Sequence, residues 1–371
     1  MKRFATLFLL LIAVSCTTTQ PDTPRDIKLT LGATPYSSVF TDGDSGEWTV
    51  WGASMIKGED NLYHIFYSRW KKSLGWSWTT DSEIAHAVSS SPYGPWEYKD
   101  VALPRRGREF WDGWCTHNPT IHSFDGKYYL YYMGNTGNGE NYCTPQQAAL
   151  NWEHRNGQRI GVAVAESLDG PWRRFDTPLI DASEDPEAPD ALLTSNPSIC
   201  RHPNGEYLMI YKSVAKKNAA PGYGPVSLMA ATSMSPTGPF VKSPRQPFDF
   251  QGEQFPAEDP YIWYQDGRYR AIVKRVSSGE ARNHSLMLYE SDNGLDWREA
   301  KESHLSDIEV LWEDGKLQKL DHLDRPQLYV EDGKPKVILF AADTLGSDGV
   351  VNSWNMQMPI ESIFVDGDTT L

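Results

Sequence analysis

The sequence predicts an all-β protein, a single five-bladed β-propeller with four antiparallel strands in each blade. The prediction rests on two sequence markers that recur at similar intervals, and on helix signals that are weak throughout. The first marker starts at positions 53, 118, 196, 259 and 325, so its copies are 63 to 78 residues apart. Internal repeats of this size are typical of propeller blades.

The first marker is a short strand that opens at a proline and turns back at an Asp-Gly or Asn-Gly pair. Its clearest copy spans residues 255–269, where Glu258 and Asp259 directly precede Pro260 and an Asp-Gly pair follows. Proline has no backbone N–H to donate to a neighbouring strand, so it fits the first position of a strand. The Asp-Gly pair is a strong signal for a hairpin turn. Three further copies open at Asn118-Pro119, Asn196-Pro197 and Arg325-Pro326. A degenerate copy without the proline opens at Gly52-Ala53.

The second marker lies later in each unit, where an apolar strand is followed by Gly-Pro-Trp or a similar turn. Its copies end at residues 94–96, 170–172, 238–240 and 295–297. They predict a third strand, a turn and an outer fourth strand. We expect the strand at 47–50 or the tail after Trp354 to complete the ring, and one short helical turn at 145–152. One blade cannot bury its faces alone, so the repeat favours a single closed domain.

The first residues form a targeting segment. Lys2 and Arg3 precede an apolar run at residues 4–14, which is too short for a bilayer span and has the layout of a signal peptide. The small residues before Cys16 resemble the bacterial lipoprotein box, in which this cysteine is lipidated. Ala13 stands where leucine is more usual, so ordinary signal-peptidase cleavage stays open as the alternative.

The predicted domain organisation follows from this leader. Residues 1–16 are the signal peptide, the polar residues 17–29 are a flexible tether, and residues 30–371 are the propeller. The protein is therefore expected in the periplasm or anchored to the outer membrane, with Cys16 as its only link to the membrane. No later segment has the apolar length of a membrane helix.

Composition narrows the class of partner. The net charge of −14 argues against nucleic acid and anionic membranes. The 14 Trp and 18 Tyr are many for this length, and aromatic rings stack on sugar faces as well as filling cores. Three cysteines follow the leader: Cys115, Cys143 and Cys200. Two alternatives stay open, a Cys115–Cys143 disulfide with one free thiol or three inert buried thiols. No spacing predicts a metal site, no cofactor is expected, and nothing indicates an oligomeric state.

In a propeller the leading ends of the inner strands surround one mouth, so the residues around each blade start should converge there. The candidate catalytic residues are Glu258, Asp259 and His117. The candidate substrate-binding residues are Asn118, Asn196, Arg325, Asp324, Arg69, Lys212, Lys274 and Trp114. Neighbouring acids resist ionising together, and a histidine titrates near neutral pH. Strand caps and structural ion pairs are the alternative roles for most of this set.

On these markers the chain resembles the five-bladed glycoside hydrolases of family 43 and the related families 117 and 32. The resemblance covers nearly the whole mature chain. It implies that Glu258, two residues before a late-blade proline, is the general acid. The family's base, an aspartate before the first-blade proline, aligns with Ala53, and its third carboxylate aligns with Thr120. One carboxylate of three therefore carries over, and Asp112 and Asp324 are candidates for the missing base.

Three functions follow from these observations. The first is an exo-acting glycoside hydrolase of polysaccharide degradation, which releases terminal sugars from oligosaccharides. The second is a lyase or dehydratase acting on uronic-acid sugars, which the missing first-blade aspartate favours. The third is a carbohydrate-binding propeller without activity. The cluster of Arg69, Lys212, Lys274 and Arg325 predicts an anionic substrate, unless nearby acids such as Asp259 and Asp324 pair with these bases.

Overall fold

The computed structural model describes residues 24–365, except 44–45, 249, 251 and 277–283. Five four-stranded antiparallel sheets follow one another in sequence, which confirms the predicted five-bladed propeller. The predicted signal peptide, its Cys16 and tether residues 17–23 lie outside the described residues. Among the helices described, none is long and apolar enough to cross a membrane.

The strands are numbered in chain order, beginning with β1 (Ile27–Leu31). Blade 1 contains β2 (Trp48–Lys57), β3 (Tyr63–Lys71), β4 (Glu83–Ser89) and β5 (Glu97–Leu103). Blade 2 contains β6 (Cys115–Phe124), β7 (Lys127–Asn135), β8 (Arg159–Ala165) and β9 (Arg173–Arg174). Blade 3 contains β10 (Leu193–Arg201), β11 (Tyr207–Val214), β12 (Val226–Ser233) and β13 (Val241–Lys242).

Blade 4 contains β14 (Ala257–Gln265), β15 (Arg268–Val276), β16 (His284–Ser291) and β17 (Arg298–Asp307). A small hairpin, β18 (Glu309–Leu311) and β19 (Leu317–Lys319), precedes blade 5. Blade 5 contains β20 (His322–Glu331), β21 (Lys334–Leu345) and β22 (Val351–Phe364). The helices are α1 (Trp152–Asn156) and two short 3-10 turns, Tyr36–Ser38 and Lys72–Leu74.

The ring is closed by the N-terminal strand. β1 pairs antiparallel with β22 and forms the outermost strand of blade 5. The tail after Trp354 is thus the third strand of that blade. The expectation that residues 47–50 close the ring is wrong, because they lead into β2, the inner strand of blade 1. The predicted tether is also too long, since β1 begins at Ile27.

The closing strand is held by apolar packing as well as by its ladder. Ile27 and Leu29 are buried in a core that continues through blades 4 and 5. Ile27→Ala is expected to lower the free energy of unfolding by about 2–5 kcal/mol, because a buried aliphatic side chain is lost from a packed core. Lys28→Ala, at the exposed neighbouring position, is the control. Chemical denaturation measures both variants, and equal stabilities would show that β1 does not fasten the ring.

Each inner strand carries a β-bulge at the same place. The pairing register shifts there in all five blades, and the bulged residue has a positive φ of 50° to 57°. These five residues, called the axial residues below, are Gly52, Asn118, Asn196, Asp259 and Arg325. Glycine, asparagine and aspartate tolerate this conformation, whereas arginine rarely adopts it. The first-blade equivalent of Asp259 is therefore Gly52, so the sequence alignment to Ala53 was displaced by one residue.

Residues 136–158, between β7 and β8, reach across to blade 1. Asn141 Nδ2 donates to the Leu74 carbonyl at 3.0 Å, and Asn135 Nδ2, on the last residue of β7, donates to the Thr79 carbonyl at 3.0 Å. The predicted helical turn at 145–152 is displaced, because α1 starts at Trp152, where the Asn151 side chain accepts from the Glu153 and His154 amides. The insert thus supports the loop after β3, which forms one side of the mouth.

The three described cysteines are free thiols. The Cys115–Cys143 disulfide that the sequence left open is therefore not formed. Cys143 Sγ instead lies 3.4 Å from the Trp76 carbonyl oxygen, within the contact between the insert and blade 1. Cys115 and Cys200 are buried in the sheet layers, and burial raises the pKa of the Cys115 thiol to about 12.

Candidate active site

A pocket of about 670 Å³ opens at the mouth of the propeller, and all five blades contribute to its lining. Blade 1 supplies an aromatic side, whereas blades 3, 4 and 5 supply charged side chains. Four of the axial residues, Asn118, Asn196, Asp259 and Arg325, line the pocket. This is the mouth at which the sequence predicted that blade starts converge.

The aromatic side consists of four tryptophans that sequence reasoning did not single out: Trp51, Trp70, Trp76 and Trp78. The Trp76 ring packs edge-to-face against Trp51 and Trp70, with centroids 5.1 and 5.4 Å away. Trp51 immediately precedes Gly52, and so it occupies in blade 1 the position that Glu258 occupies in blade 4. Recognition of the bulge would have revealed Trp51. Trp70 lies on β3, whereas Trp76 and Trp78 depend on how the loop after β3 folds back, which the sequence does not specify.

The charged side is built around Glu258. Lys212 Nζ lies 2.8 Å from Glu258 Oε2, and Lys274 Nζ lies 3.0 Å from Oε1. Burial alone would raise the pKa of Glu258, but the two lysines outweigh it and hold the pKa well below its usual range. Glu258 is therefore ionised in the free pocket. This state does not suit the general-acid role that the family resemblance implies.

Asp324 shares one of these lysines. Its Oδ1 lies 2.6 Å from Lys274 Nζ, and it lines the pocket from blade 5. Burial raises the pKa of Asp324, and the nearby Glu258 charge adds to the effect, while Lys274 opposes it. Glu258, Asp259 and Asp324 each offer an oxygen within 4.8 Å of the other two. The pocket thus holds neighbouring carboxyl groups whose proton affinities are driven apart, an arrangement that suits acid–base chemistry.

The axial residues form a connected ring. Asn118 Nδ2 donates to Asn196 Oδ1 at 2.8 Å, and Asn196 Nδ2 donates to Asp259 Oδ1 at 2.6 Å. The Arg325 amide donates to Asp259 Oδ2 at 3.2 Å, and its guanidinium lies 3.4 Å from Oδ1. A Cβ at Gly52 would lie 3.1 Å from Asn118 Oδ1 and 3.3 Å from Arg325 Cγ. Glycine therefore leaves room for the two neighbours that close the ring.

The bulge also resolves how Glu258 and Asp259 can share one site. Adjacent residues of a regular strand point to opposite faces. A bulge lets two residues oppose one on the partner strand, and here both side chains line the pocket. Burial raises the pKa of Asp259, and the Glu258 charge raises it further. The Asp259 side chain is only 5% exposed, whereas those of Glu258 and Asp324 are 17% and 12% exposed, so these two are the more accessible carboxyl groups.

His117 lines the pocket between Trp70 and Trp78, and its Nδ1 lies 2.8 Å from Ser82 Oγ. Burial lowers its pKa well below the usual value, and Arg325 lowers it further. The expectation that this histidine titrates near neutral pH is therefore not met, and the imidazole is neutral at pH 7.

Two predicted site residues lie elsewhere. Arg69 lies opposite Val50 in the ladder, whereas Ser68 is the true equivalent of Lys212 and Lys274, so the Arg69 side chain points to the other face. There it pairs with Asp42 at 2.7 Å and Glu83 at 3.0 Å. Trp114 also lies outside the pocket, with the Arg105 guanidinium 4.3 Å from its ring centroid.

Asp112, a candidate for the missing base, is fully buried away from the pocket. Its Oδ1 accepts from Arg106 Nε at 2.7 Å and its Oδ2 from the Tyr132 hydroxyl at 2.5 Å, so its role is structural. Gln158 and His322 line the pocket without having been predicted. His322 Nδ1 lies 2.8 Å from Asp343 Oδ1, and this hydrogen bond raises its pKa.

A second cavity adjoins the pocket across Trp76 and His322, which line both. Insert residues 144–148 and the turn between β21 and β22 form its other walls. The insert thus shapes one side of the approach to Asp324. A ligand longer than one ring could extend from the pocket in this direction.

A family model, glycosyl hydrolases family 32 N-terminal domain, matches residues 198–347. No curated protein matches the sequence.

Several solved structures share the fold. One described as a complex of BT0996 with RGII is 12% identical, with a TM-score of 0.63 over 91% of this protein and 94% of that one. Zg3597, a family 117 glycoside hydrolase of Zobellia galactanivorans, is 17% identical, with a TM-score of 0.59 over 93% and 92%. An exo-1,5-alpha-L-arabinanase from a bovine ruminal metagenomic library is 14% identical, with a TM-score of 0.54 over 88% and 97%. The resemblance to propeller glycoside hydrolases is therefore confirmed at the level of the fold.

Proposed function

We propose that the protein is a glycoside hydrolase that removes terminal sugars from polysaccharide-derived oligosaccharides. The observation that carries the proposal is the pair of carboxyl groups, Glu258 and Asp324, at one end of an aromatic-lined pocket. Glycoside hydrolysis requires a group that donates a proton to the leaving oxygen and a second carboxylate near the anomeric carbon. The propeller glycoside hydrolases that share the fold support the same class of activity.

The environments of the two carboxyl groups suggest their roles. Asp324, with its raised pKa, donates its proton to the glycosidic oxygen as the bond to the anomeric carbon breaks. Glu258, held ionised by Lys212 and Lys274, stabilises the positive charge that develops on the sugar. Water then adds hydroxide to the anomeric carbon and returns a proton to Asp324.

The shape of the mouth supports action on chain ends. The loop after β3 and insert 136–158 contact one another and wall off one side of the pocket. A terminal ring can enter such a pocket, whereas an internal segment of a polymer needs a cleft that is open at both ends. Tryptophan faces beside the charged groups suit the apolar face of a sugar ring.

The pairing of charges favours a neutral terminal sugar. Lys212, Lys274 and Arg325 each already contact a carboxylate, which is the alternative that the sequence left open for the basic cluster. An eliminating enzyme for uronic sugars needs a cation that is available to the substrate carboxylate. The pairs therefore favour hydrolysis over elimination. A carbohydrate-binding module without activity would not need two neighbouring carboxyl groups whose pKa values are shifted in opposite directions.

The experiment is incubation with a panel of neutral, uronic and sulfated oligosaccharides, followed by mass spectrometry and ultraviolet absorbance. We expect release of a neutral monosaccharide from one chain end, with each cleavage adding one water. An unsaturated, ultraviolet-absorbing product would instead identify an eliminating enzyme, and binding without product would identify a binding module. Tighter binding of the acidic members, weakening as salt rises, would contradict the neutral-sugar assignment.

We also propose that the protein is exported to the periplasm or anchored at the outer membrane through Cys16. The charged start, the apolar run and the small residues before Cys16 support this location. Oligosaccharides derived from polysaccharides are available in that compartment.

A further inference from the structure

A second cluster of chemically active side chains lies at the end of the propeller opposite the pocket, between blades 1 and 2. His64 on β3 and His86 on β4 are buried, with exposed fractions of 2% and 0%. Three carboxylates flank them at the surface: Asp60, Asp100 and Asp169. His64, His86 and Asp169 each offer a ligating atom within 4.8 Å of the other two.

Hydrogen bonds determine which imidazole nitrogens carry protons. His64 Nε2 lies 3.1 Å from Asp60 Oδ1, so this nitrogen donates to the carboxylate. In neutral His64, Nδ1 is then an acceptor, and it lies 2.9 Å from His86 Nε2, which must donate. His86 Nδ1 is left as a lone pair. It is buried and has no hydrogen-bond partner in the described part of the chain.

This lone pair faces negative charge. Asp100 Oδ1 lies 3.6 Å from His86 Nδ1. A carboxylate oxygen of Asp169, in the outer turn of blade 2, lies within 4.8 Å of an imidazole nitrogen of His86. An acceptor nitrogen beside two carboxylates is repelled unless a cation lies between them. Two ligands at about 2.1 Å from a tetrahedral ion are about 3.4 Å apart, which is close to the observed separation.

We propose that His86 Nδ1, Asp100 and Asp169 bind a divalent transition-metal ion such as Zn²⁺. Imidazole with carboxylates suits zinc and its neighbours, whereas calcium and magnesium prefer oxygen alone. His64, with Asp60 behind it, fixes the His86 tautomer by accepting from Nε2. Metal-binding histidines usually have such a partner on the other ring nitrogen. Because Asp100 lies on β5 and Asp169 in blade 2, the ion fastens two adjacent blades together.

Lys99 is the internal competitor for this site. Its ammonium group contacts Asp169, and its side chain is partly exposed and able to move away. Lys99→Ala should therefore strengthen metal binding, because it removes a positive charge from a ligand carboxylate. Asp169→Asn should weaken binding without disturbing the core, since Asp169 lies at the surface.

The test is titration of chelator-treated protein with Zn²⁺ by calorimetry and with Co²⁺ by visible absorption. We expect about one equivalent to bind, with a rise in Tm by mass action. Asp169→Asn and His86→Gln should each weaken binding by at least about tenfold. His304→Ala, which removes an exposed histidine 3.1 Å from Asp307, and Glu258→Gln in the other carboxylate cluster should leave binding unchanged.

Two results would overturn the proposal. One is wild-type protein that binds neither ion. The other is binding that survives both Asp169→Asn and His86→Gln, which would indicate adventitious binding to surface groups. Catalytic activity plays no part in this measurement, so its outcome is independent of the proposed hydrolase function.

Discussion

Glu258→Gln is expected to lower kcat by about 10²–10⁴-fold on oligosaccharides and on dinitrophenyl glycosides alike. The ionised carboxylate is needed to stabilise positive charge on the sugar, and that charge develops whatever the leaving group. The variant should fold, because Lys274 keeps its contact with Asp324 and Lys212 is partly exposed. Steady-state rates on both substrate classes, together with Tm, measure the effect.

Glu253→Gln is the matched control for this variant. Glu253 precedes the same inner strand and pairs with Arg275 at 3.0 Å, outside the pocket. The control should retain wild-type turnover. If Glu258→Gln loses oligosaccharide activity but cleaves dinitrophenyl glycosides normally, then Glu258 is the proton donor, as the family resemblance implies, and our two carboxyl roles are reversed.

Asp324→Asn should have an equally large effect on oligosaccharides, about 10²–10⁴-fold in kcat, and a small effect on dinitrophenyl glycosides. A proton donor matters in proportion to the basicity of the leaving oxygen, and dinitrophenolate leaves without a proton. The pH dependence has a definite sign. Burial raises the pKa of Asp324, so wild-type activity on oligosaccharides should fall as pH rises through that pKa, when the donor proton is lost.

The fall in activity at high pH, which is the alkaline limb of the pH–rate profile, is the diagnostic feature of this experiment. Asp324→Asn should lack it, because an amide does not titrate in this range. Asp321→Asn, an exposed position three residues earlier, should keep both the limb and the rate. An alkaline limb that persists in Asp324→Asn would assign the titrating group elsewhere.

The fold could be predicted because each blade repeats strong local signals. The Asp-Gly hairpins and the Gly-Pro-Trp turns identify strands from neighbouring residues alone, and their spacing determines the number of blades. Ring closure could not be predicted in this way. β1 is a short alternating strand beside a polar segment, and its partner β22 lies more than three hundred residues away.

The charged half of the site could be predicted, whereas most of the aromatic half could not. Glu258, Asp324 and Lys212 follow from their place relative to the blade starts. The error at Arg69 has a simple cause, because a one-residue displacement on a strand reverses the face to which a side chain points. Trp76 and Trp78 reach the pocket through a loop whose course depends on an insert in another blade.

The axial ring limits how far the blades are modular. The five inner strands share one backbone shape, yet each axial side chain complements the next: an amide donates to an amide, that amide to a carboxylate, and the carboxylate contacts a guanidinium. Separating blade 4 from blade 5, or deleting either one, would leave a buried Asp259 or Arg325 charge without its counterion. Gly52 is equally specific, since it makes room for the Arg325 side chain. The chain retains the symmetry of a repeat in its backbone, but its buried charges require blades 4 and 5 to be neighbours.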